Sequence, residues 1–437
     1  MLARGSLKIC ANLIDFVKKI IESDDFLDRN RTSSKYFTRK RSLPFATMIL
    51  LLMNLRKGSI ADELDHFFQA LNKTDVAKVS VSTSAFCQAR RKLKPDAFIE
   101  LNTEFCRYFY NNFEIKTWFG FNLFAFDGSK ARVPNSEAVA DHFGLMYPKN
   151  GEPLPLARVS QMFDVLNKIT VDAIISPQSV SEHELASQHA LRLRPTDLVL
   201  MDRGYPAYWL FRLVSVSGAN FCARISYKKW TAIKKFYKSG EIDGIITIKP
   251  SCQSKKVCQE LGLDATPLKV RAIRIELSSG ETEILITSLL DAVAYRSDIF
   301  KDLYHLRWPV EEDYKIIKAR LEVENWSGES VVSVYQDFHA KVLTKNIAFA
   351  LVDLVRPVIA EETKHRKYEY QINGARALSK MKYTVCLLFQ RVDPMQVIKD
   401  LLMAFIKCVL PIRPGREYYR RKKGAGRRFY PAYKPIA

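Results

Sequence analysis

The sequence predicts a mixed α/β protein, with a sheet-bearing middle between two helical regions. Three observations predict it. Apolar residues recur at helical spacing over residues 1–115. From residue 121 the pattern changes to short apolar runs closed by turn residues. Helical spacing then returns over Tyr295–Asn325 and Val331–Val358.

The first region is carried by Leu13, Phe16, Ile20 and Ile21, and again by Leu64, Phe67, Phe68 and Leu71. Within it, Ser82–Leu93 starts with cap-type residues and carries Arg90, Arg91 and Lys92. Two readings fit this stretch: a DNA-binding helix, or a solvated basic helix face. Arg29–Arg41 holds six basic residues and no acidic one, with Tyr36-Phe37 among them. It reads as an arm lying on phosphate or as a solvated linker.

In the middle region, Phe121–Phe126 reads as a strand ending in Asp127-Gly128-Ser129. Val159–Val165 and Ile169–Ile175 flank Leu166-Asn167-Lys168, a hairpin pattern. A helix is expected over Glu182–Leu193, a buried strand over Leu198–Met201 ending at Asp202, and a helix over Pro206–Val214. Residues 219–292 read as a β-strand insertion, with strands at Asn220–Ile225, Gly244–Ile248, Leu268–Leu277 and Glu281–Ile286. The expected organisation is a helical N-terminal domain (1–118), the first part of an α/β core (119–218), the insertion (219–292), the second part of the core (293–360), and a C-terminal helical region with a basic tail (361–437); that the first domain binds DNA and the core is catalytic is what a family resemblance, carried by motifs in the core, implies.

Composition narrows the function. Apolar residues are 47% and charged residues 26%, so there is ample material for a core. Lys plus Arg is 68 against 47 Asp plus Glu, a net charge of +21, which points to a polyanionic partner. The last stretch, 413–437, holds nine basic residues and one acidic. Arg420, Arg421, Lys422, Lys423, Arg427 and Arg428 there are interleaved with tyrosines and Phe429, a composition suited to nucleic-acid backbones and stacking.

The eight cysteines are scattered, no C-x-x-C occurs, and they read as reduced core residues. The most apolar run, Phe45–Met53, is less than half of the ~20 residues a bilayer span needs. No secretory h-region and cleavage site opens the chain. A cytoplasmic, nucleoid-associated protein without a membrane partner is expected. The sequence has no P-loop, no G-x-G-x-x-G after a strand and no His-rich metal spacing, which leaves a small-molecule cofactor without a motif. The seven histidines, His183 and His189 among them, read as surface or supporting residues.

Three acidic residues carry the candidate chemistry: Asp127, Asp202 and Glu311. Both aspartates close apolar runs and are followed by glycine within two residues, which lets the chain approach a hard cation. Turn aspartates share that pattern. Tyr304, Arg307, Glu311 and Lys318 stand at spacings of 3, 4 and 7. On a helix they fall within about 60° of one stripe. A carboxylate among a phenol, a guanidinium and an ammonium suits a metal-dependent phosphodiester site. Pro309 predicts a helix break near Trp308, with Glu311 in the first turn of the next helix. There the helix dipole favours the ionised carboxylate.

The pattern Tyr-x2-Arg-x3-Glu-x6-Lys resembles the motif of DDE transposases of bacterial insertion sequences, in the insertion sequence four family. DGSKARVPNS resembles the strand of that family's first aspartate, LVLMDRGY that of the second, and YHLRWPVEEDYK its glutamate helix. The resemblance covers about residues 40 to 430, and the N-terminal third matches only in character. It implies an RNase H-like catalytic core in which Asp127, Asp202 and Glu311 bind two Mg²⁺ (or Mn²⁺) ions. One ion would activate water or the freed 3′-hydroxyl, and the other would stabilise the leaving oxygen. It implies that Tyr304, Arg307 and Lys318 hold DNA phosphates near the cut end. The implied activity is metal-dependent cleavage and strand transfer, as cut-and-paste transposition. The implied partner is double-stranded DNA, both the element's terminal inverted repeats and a target, bound by a homodimer in the synaptic complex. Some family members flip a base onto a Trp of the insertion. Here the insertion's one Trp, Trp230, lies far upstream of the expected place. A nuclease of the same fold that does not join strands, and a catalytically silent DNA-binding protein, are the alternatives.

Overall fold

A computed structural model describes residues 4–39, 41–54, 58–76, 79–148, 151–277, 280–320, 324–382, 384–390 and 393–413. The chain divides into two compact units. One holds residues 115–130 and 158–314, and the other holds residues 1–114, 131–157 and 315–437. These units cut the chain differently from the five sequence segments.

The strands are β1 (Asn122–Arg132), β2 (Leu145–Met146), β3 (Leu154–Asp164), β4 (Ile169–Pro177), β5 (Asp197–Met201), β6 (Asn220–Ile225), β7 (Asp243–Ile248), β8 (Leu268–Glu276) and β9 (Thr282–Thr287). In the 115–130/158–314 unit the sheet runs β3-β1-β5-β6-β9-β8-β7, and β4 pairs with β3. β1, β5 and β6 are parallel. β5 is buried at all five positions, the continuous apolar run of a strand covered on both faces. Parallel neighbours need crossovers, supplied by helices Glu182–Ala190 before β5 and Tyr208–Val216 before β6. The first of these is closed by a capping box between Ser181 and Glu184. Beyond β6 the order turns antiparallel through β9, β8 and β7.

The expected strands of the insertion are present, and they continue the same sheet. Two helices there, Thr231–Ser239 and Cys252–Glu260, are absent from the sequence reading. Each buries little: Ile233 and Phe236 in the first, Cys258 in the second. Each is only nine residues long and lies between strong strand signals, which mask so short a helical period. β1 also corrects the sequence reading, because it does not end before Asp127 but runs on to Arg132.

In the other unit, helix Val331–Asp353 is buried on nearly every face from Ser333 to Val352, as befits a helix at a core. The N-terminal helices Phe45–Met53 and Asp96–Asn112 pack on it, as does Gly374–Met381 from the C-terminal region. β2 pairs with the start of β3. Asn346 Nδ2 donates to Asn102 Oδ1 at 2.7 Å, and Thr344 Oγ1 to the Met53 carbonyl at 2.8 Å. None of the eight cysteines is in a disulfide, and six are buried.

Arg90 belongs to this core, which corrects its expected DNA-facing role. It is 3% exposed. Its Nε donates to Gln336 Oε1 (2.9 Å), Nη1 to Ser327 Oγ, and Nη2 to Asp337 Oδ1 (2.9 Å). Its neighbour Arg91, the C-cap of helix Thr83–Arg90, is exposed. In the basic arm, Arg29 pairs with Glu100 at 2.6 Å and Arg31 with Asp28, whereas Arg39 and Arg41 face solvent. Lys35 and Lys92 lie over the Tyr36 ring. Of the tail, Arg413 is described. Arg420, Arg421, Lys422, Lys423, Arg427 and Arg428 lie outside the described residues.

Candidate active site

The parallel register builds the site. The last paired rung of β1 and β5 is Phe126↔Met201, so Asp127 and Asp202 are the next residues on adjacent strands. The last rung of β5 and β6 is Met201↔Ala223, which sets Arg224 in the same row. This row lies just past the last rungs of the parallel ladder, where β5 ends and β1 runs on, and sites of open sheets collect at such strand ends.

Local contacts fix each aspartate. Tyr314 Oη donates to the Asp127 carbonyl at 2.8 Å. The Gly204 N–H donates to Asp202 Oδ1 at 2.8 Å. Gly128 is closely packed: a Cβ there would stand 3.3 Å from Glu182 Cγ and Cδ and from Tyr205 Oη, so those side chains would have to give way. Glu182 is held by Arg158 Nη1 at 2.9 Å. Behind Asp127, His189 is fully buried between Ser160 Oγ (3.0 Å) and Asp172 Oδ2 (2.8 Å). His189 is thus a buried, hydrogen-bonded residue, and Asp172 also meets the half-exposed Arg192 at 3.2 Å.

Glu311 comes from the helical segment. A helix runs over Ile299–His305 and a second over Pro309–Lys315, with Glu311 in its first turn. The break expected from Pro309 is therefore present. The single stripe is not, because a π-helical turn, Ile316–Arg320, follows at once. Lys318 sits in that turn, half-buried and in the other unit. Tyr304, Arg307 and Glu311 do come together. Arg307 Nη2 contacts Glu311 Oε1 at 2.5 Å, and its guanidinium lies 5.9 Å from the Tyr304 ring centre.

The electrostatics couple the three acids. Burial, opposed by Arg307 and reinforced by the charges of Asp202 and Glu311, pushes Asp127 up to about 7. Burial also pushes the Tyr304 phenol up to about 12, against the pull of Arg307 and Arg224. Tyr304 Oη and Arg224 Nε are buried without a hydrogen-bond partner, as is His183 Nε2.

The donor set suits a hard divalent cation, being carboxylate oxygens whose mutual repulsion a cation relieves. As placed, no three acidic, His or Cys side chains among the described residues surround one point, and Glu311 is engaged with Arg307. The carboxylates of Asp127, Asp202 and Glu311 are donors of the type such a cation takes, with Glu311 engaged by Arg307.

Residues 118–347 match the family model described as the transposase DDE domain. This chain belongs to the DDE transposase family, in its insertion-sequence-four type. It is 26% identical over 289 residues to the transposase InsG for insertion sequence element IS4 of Escherichia coli (strain K12). That match covers 65% of this chain and 64% of the relative's length. A cryo-EM structure of the piggyBac transposase synaptic complex with hairpin DNA is similar with a TM-score of 0.43 and 12% identity, over 95% of this chain and 88% of that one. A likeness at that level assigns no residue. Among the described residues no helix is long and apolar enough to cross a membrane.

Proposed function

We propose that this chain is the transposase of the element that encodes it, binding the element's ends and carrying out metal-dependent strand cleavage and strand transfer. The observation that carries this reading is the register row. It sets Asp127 beside Asp202 at the end of the β1–β5 ladder, with Glu311 and Arg307 coupled to them, inside the family-matched segment. The catalytic core is read as RNase H-like, and the active assembly as a homodimer on paired DNA ends.

Asp127, Asp202 and Glu311 would hold Mg²⁺ or Mn²⁺. Bound divalent ions would supply activation of the attacking oxygen and neutralisation of charge on the leaving one. The chain's own residues do the positioning. Tyr314 and Gly204 fix the two aspartates. Arg307 holds Glu311 and, once freed from it, presents a planar fork to a phosphate. Lys318, Arg91 and the tail arginines and lysines are proposed as further phosphate-binding groups.

The test incubates the protein with a plasmid carrying the parent element plus Mg²⁺, read on a denaturing gel, with a second plasmid as target. Nicks at the element's ends and joined products are expected, and EDTA should remove both. Nicking without joined product would reduce the activity to that of a nuclease. Binding to the ends with no nicking would leave a silent DNA-binding protein.

A further inference from the structure

Behind Asp127 a single hydroxyl stands between two acceptors. Ser160 on β3 is fully buried, and its Oγ lies 3.0 Å from His189 Nε2 and 3.5 Å from the Asp127 carbonyl oxygen. A hydroxyl has one hydrogen to give. Which acceptor takes it depends on the far side of the imidazole. There His189 Nδ1 meets Asp172 Oδ2 at 2.8 Å, and the same oxygen meets Arg192 Nε at 3.2 Å. Arginine only donates, so Asp172 Oδ2 is an acceptor and the ring hydrogen of His189 sits on Nδ1. In the neutral imidazole Nε2 is then an acceptor, and it is the nearer of the two to the Ser160 hydroxyl. All of these residues belong to the 115–130/158–314 unit.

The Asp127 carbonyl is thereby left to Tyr314 Oη, which donates to it at 2.8 Å. The His189 ring also packs on Phe126, the residue before Asp127, with ring centres 5.5 Å apart. We infer that His189, its ring hydrogen set by Asp172 and Arg192, draws the Ser160 hydroxyl off the Asp127 carbonyl and so serves as a positioning residue for Asp127. His189 touches no reacting atom and acts through Ser160. Without the Nε2 acceptor the Ser160 hydrogen turns to the Asp127 carbonyl and competes there with Tyr314. The backbone then shifts at the residue that carries the carboxylate. Groups that orient a metal ligand from behind are worth about 10- to 100-fold in metal affinity. This rests on the reading of Asp127 above as a metal-binding carboxylate.

The test is a cycle of full-length variants: His189→Phe, Ser160→Ala and the two together. Phenylalanine keeps a ring against Phe126 and removes the acceptor. Mn²⁺ affinity of the DNA-free protein is measured by EPR titration, with thermal melts alongside. His189→Phe should bind Mn²⁺ at least about 10-fold more weakly than wild type. Ser160→Ala should bind it about as wild type does, since the Asp127 carbonyl stays with Tyr314. The double variant should recover that affinity, because the hydroxyl that would turn on Asp127 is gone. Its melt should stay as low as that of His189→Phe, since Asp172 has lost its imidazole in both. Packing alone predicts no such rescue: the two defects would add or stay. A double variant as weak as His189→Phe overturns the inference. So does His189→Phe binding as tightly as wild type, or Ser160→Ala binding as weakly as His189→Phe. Nitrogen NMR of histidine-labelled wild type should show His189 with its hydrogen on Nδ1. A hydrogen on Nε2 alone overturns the inference even where His189→Phe fails to fold. A wild type that binds no Mn²⁺ would overturn the metal reading of Asp127, and the NMR spectrum would still decide the state of His189.

Discussion

The Arg90–Asp337 pair gives the sharpest test of sequence charge against structural burial. The perturbation is Asp337→Ala. It leaves the guanidinium of Arg90, 3% exposed, without its carboxylate, and takes two hydrogen bonds from Ser327. Removing one partner of a buried ion pair costs about 3–5 kcal/mol. At roughly 2–4 °C per kcal/mol for a unit of this size, the melting temperature should fall by roughly 6–20 °C. Arg90→Met should also destabilise, by stranding Asp337, though two hydrogen bonds from Ser327 remain to it. The exposed neighbour Arg91→Ala should change stability by no more than about 0.5 kcal/mol. The assay is a thermal melt of each variant, paired with DNA binding against salt concentration. A variant that no longer neutralises one phosphate should show a slope of log K against log salt flatter by about 0.9. Burial predicts that Arg90→Met moves the melt and leaves that slope alone. A wild-type melt with a flattened slope would refute the burial argument and return Arg90 to the DNA surface.

Three other outcomes are expected. Asp127→Asn, Asp202→Asn and Glu311→Gln should each abolish nicking while DNA binding persists, since the acids act as a unit. Near-wild-type nicking by one of them on a denaturing gel would remove it from the site, and Glu312 would then be the first substitute for Glu311. Gly128→Ala should lower cleavage up to about 100-fold with little change in melting, because its Cβ presses on Glu182 and Tyr205 beside Asp127; unchanged single-turnover rates would show that those side chains yield freely. Deleting residues 413–437 should flatten the salt dependence of DNA affinity, and an unchanged slope would leave the tail as a solvated appendage.

Much of the site is legible in the sequence because its parts are local. Asp202 follows an apolar run that only a covered strand explains, and Pro309 dictates where the Glu311 helix begins. What stays hidden depends on distant partners. Arg90-Arg91-Lys92 reads as a surface cluster, because nothing nearby reveals that Asp337, 247 positions away, waits in the core for the first of them. β1 runs past Asp127 because β3 continues to support it, where Gly128-Ser129 alone signals a turn. The π-helical turn at Ile316–Arg320 leaves no sequence mark, so residue spacing alone sets Lys318 on a stripe that the backbone interrupts. Arg224 can be found only from the β5–β6 register.

That register is itself an energetic problem, and the strands show how it is solved. A one-residue slip of β5 against β1 would turn Asp202 to the opposite face. Apolar patterning resists such slips only when one face is wet. β5 is buried on both, so shifted pairings would bury apolar side chains about as well. A polar pair at the start of the ladder supplies the missing specificity. Asn122 and Asp197 are register partners, and Asn122 Nδ2 donates to Asp197 Oδ1 at 2.9 Å. The other oxygen, Oδ2, accepts the Arg194 N–H at 2.8 Å. Asp197 is 3% exposed, and burial raises its carboxyl above the usual range despite these bonds. A slip would take the Asn122 donor from Asp197 Oδ1 and leave the amide without its acceptor, while the Arg194 bond travels with the strand, a cost that equivalent apolar packing does not offset. The alignment of Asp127 with Asp202 at one end of the β1–β5 ladder is thus enforced by a buried polar rung at the other.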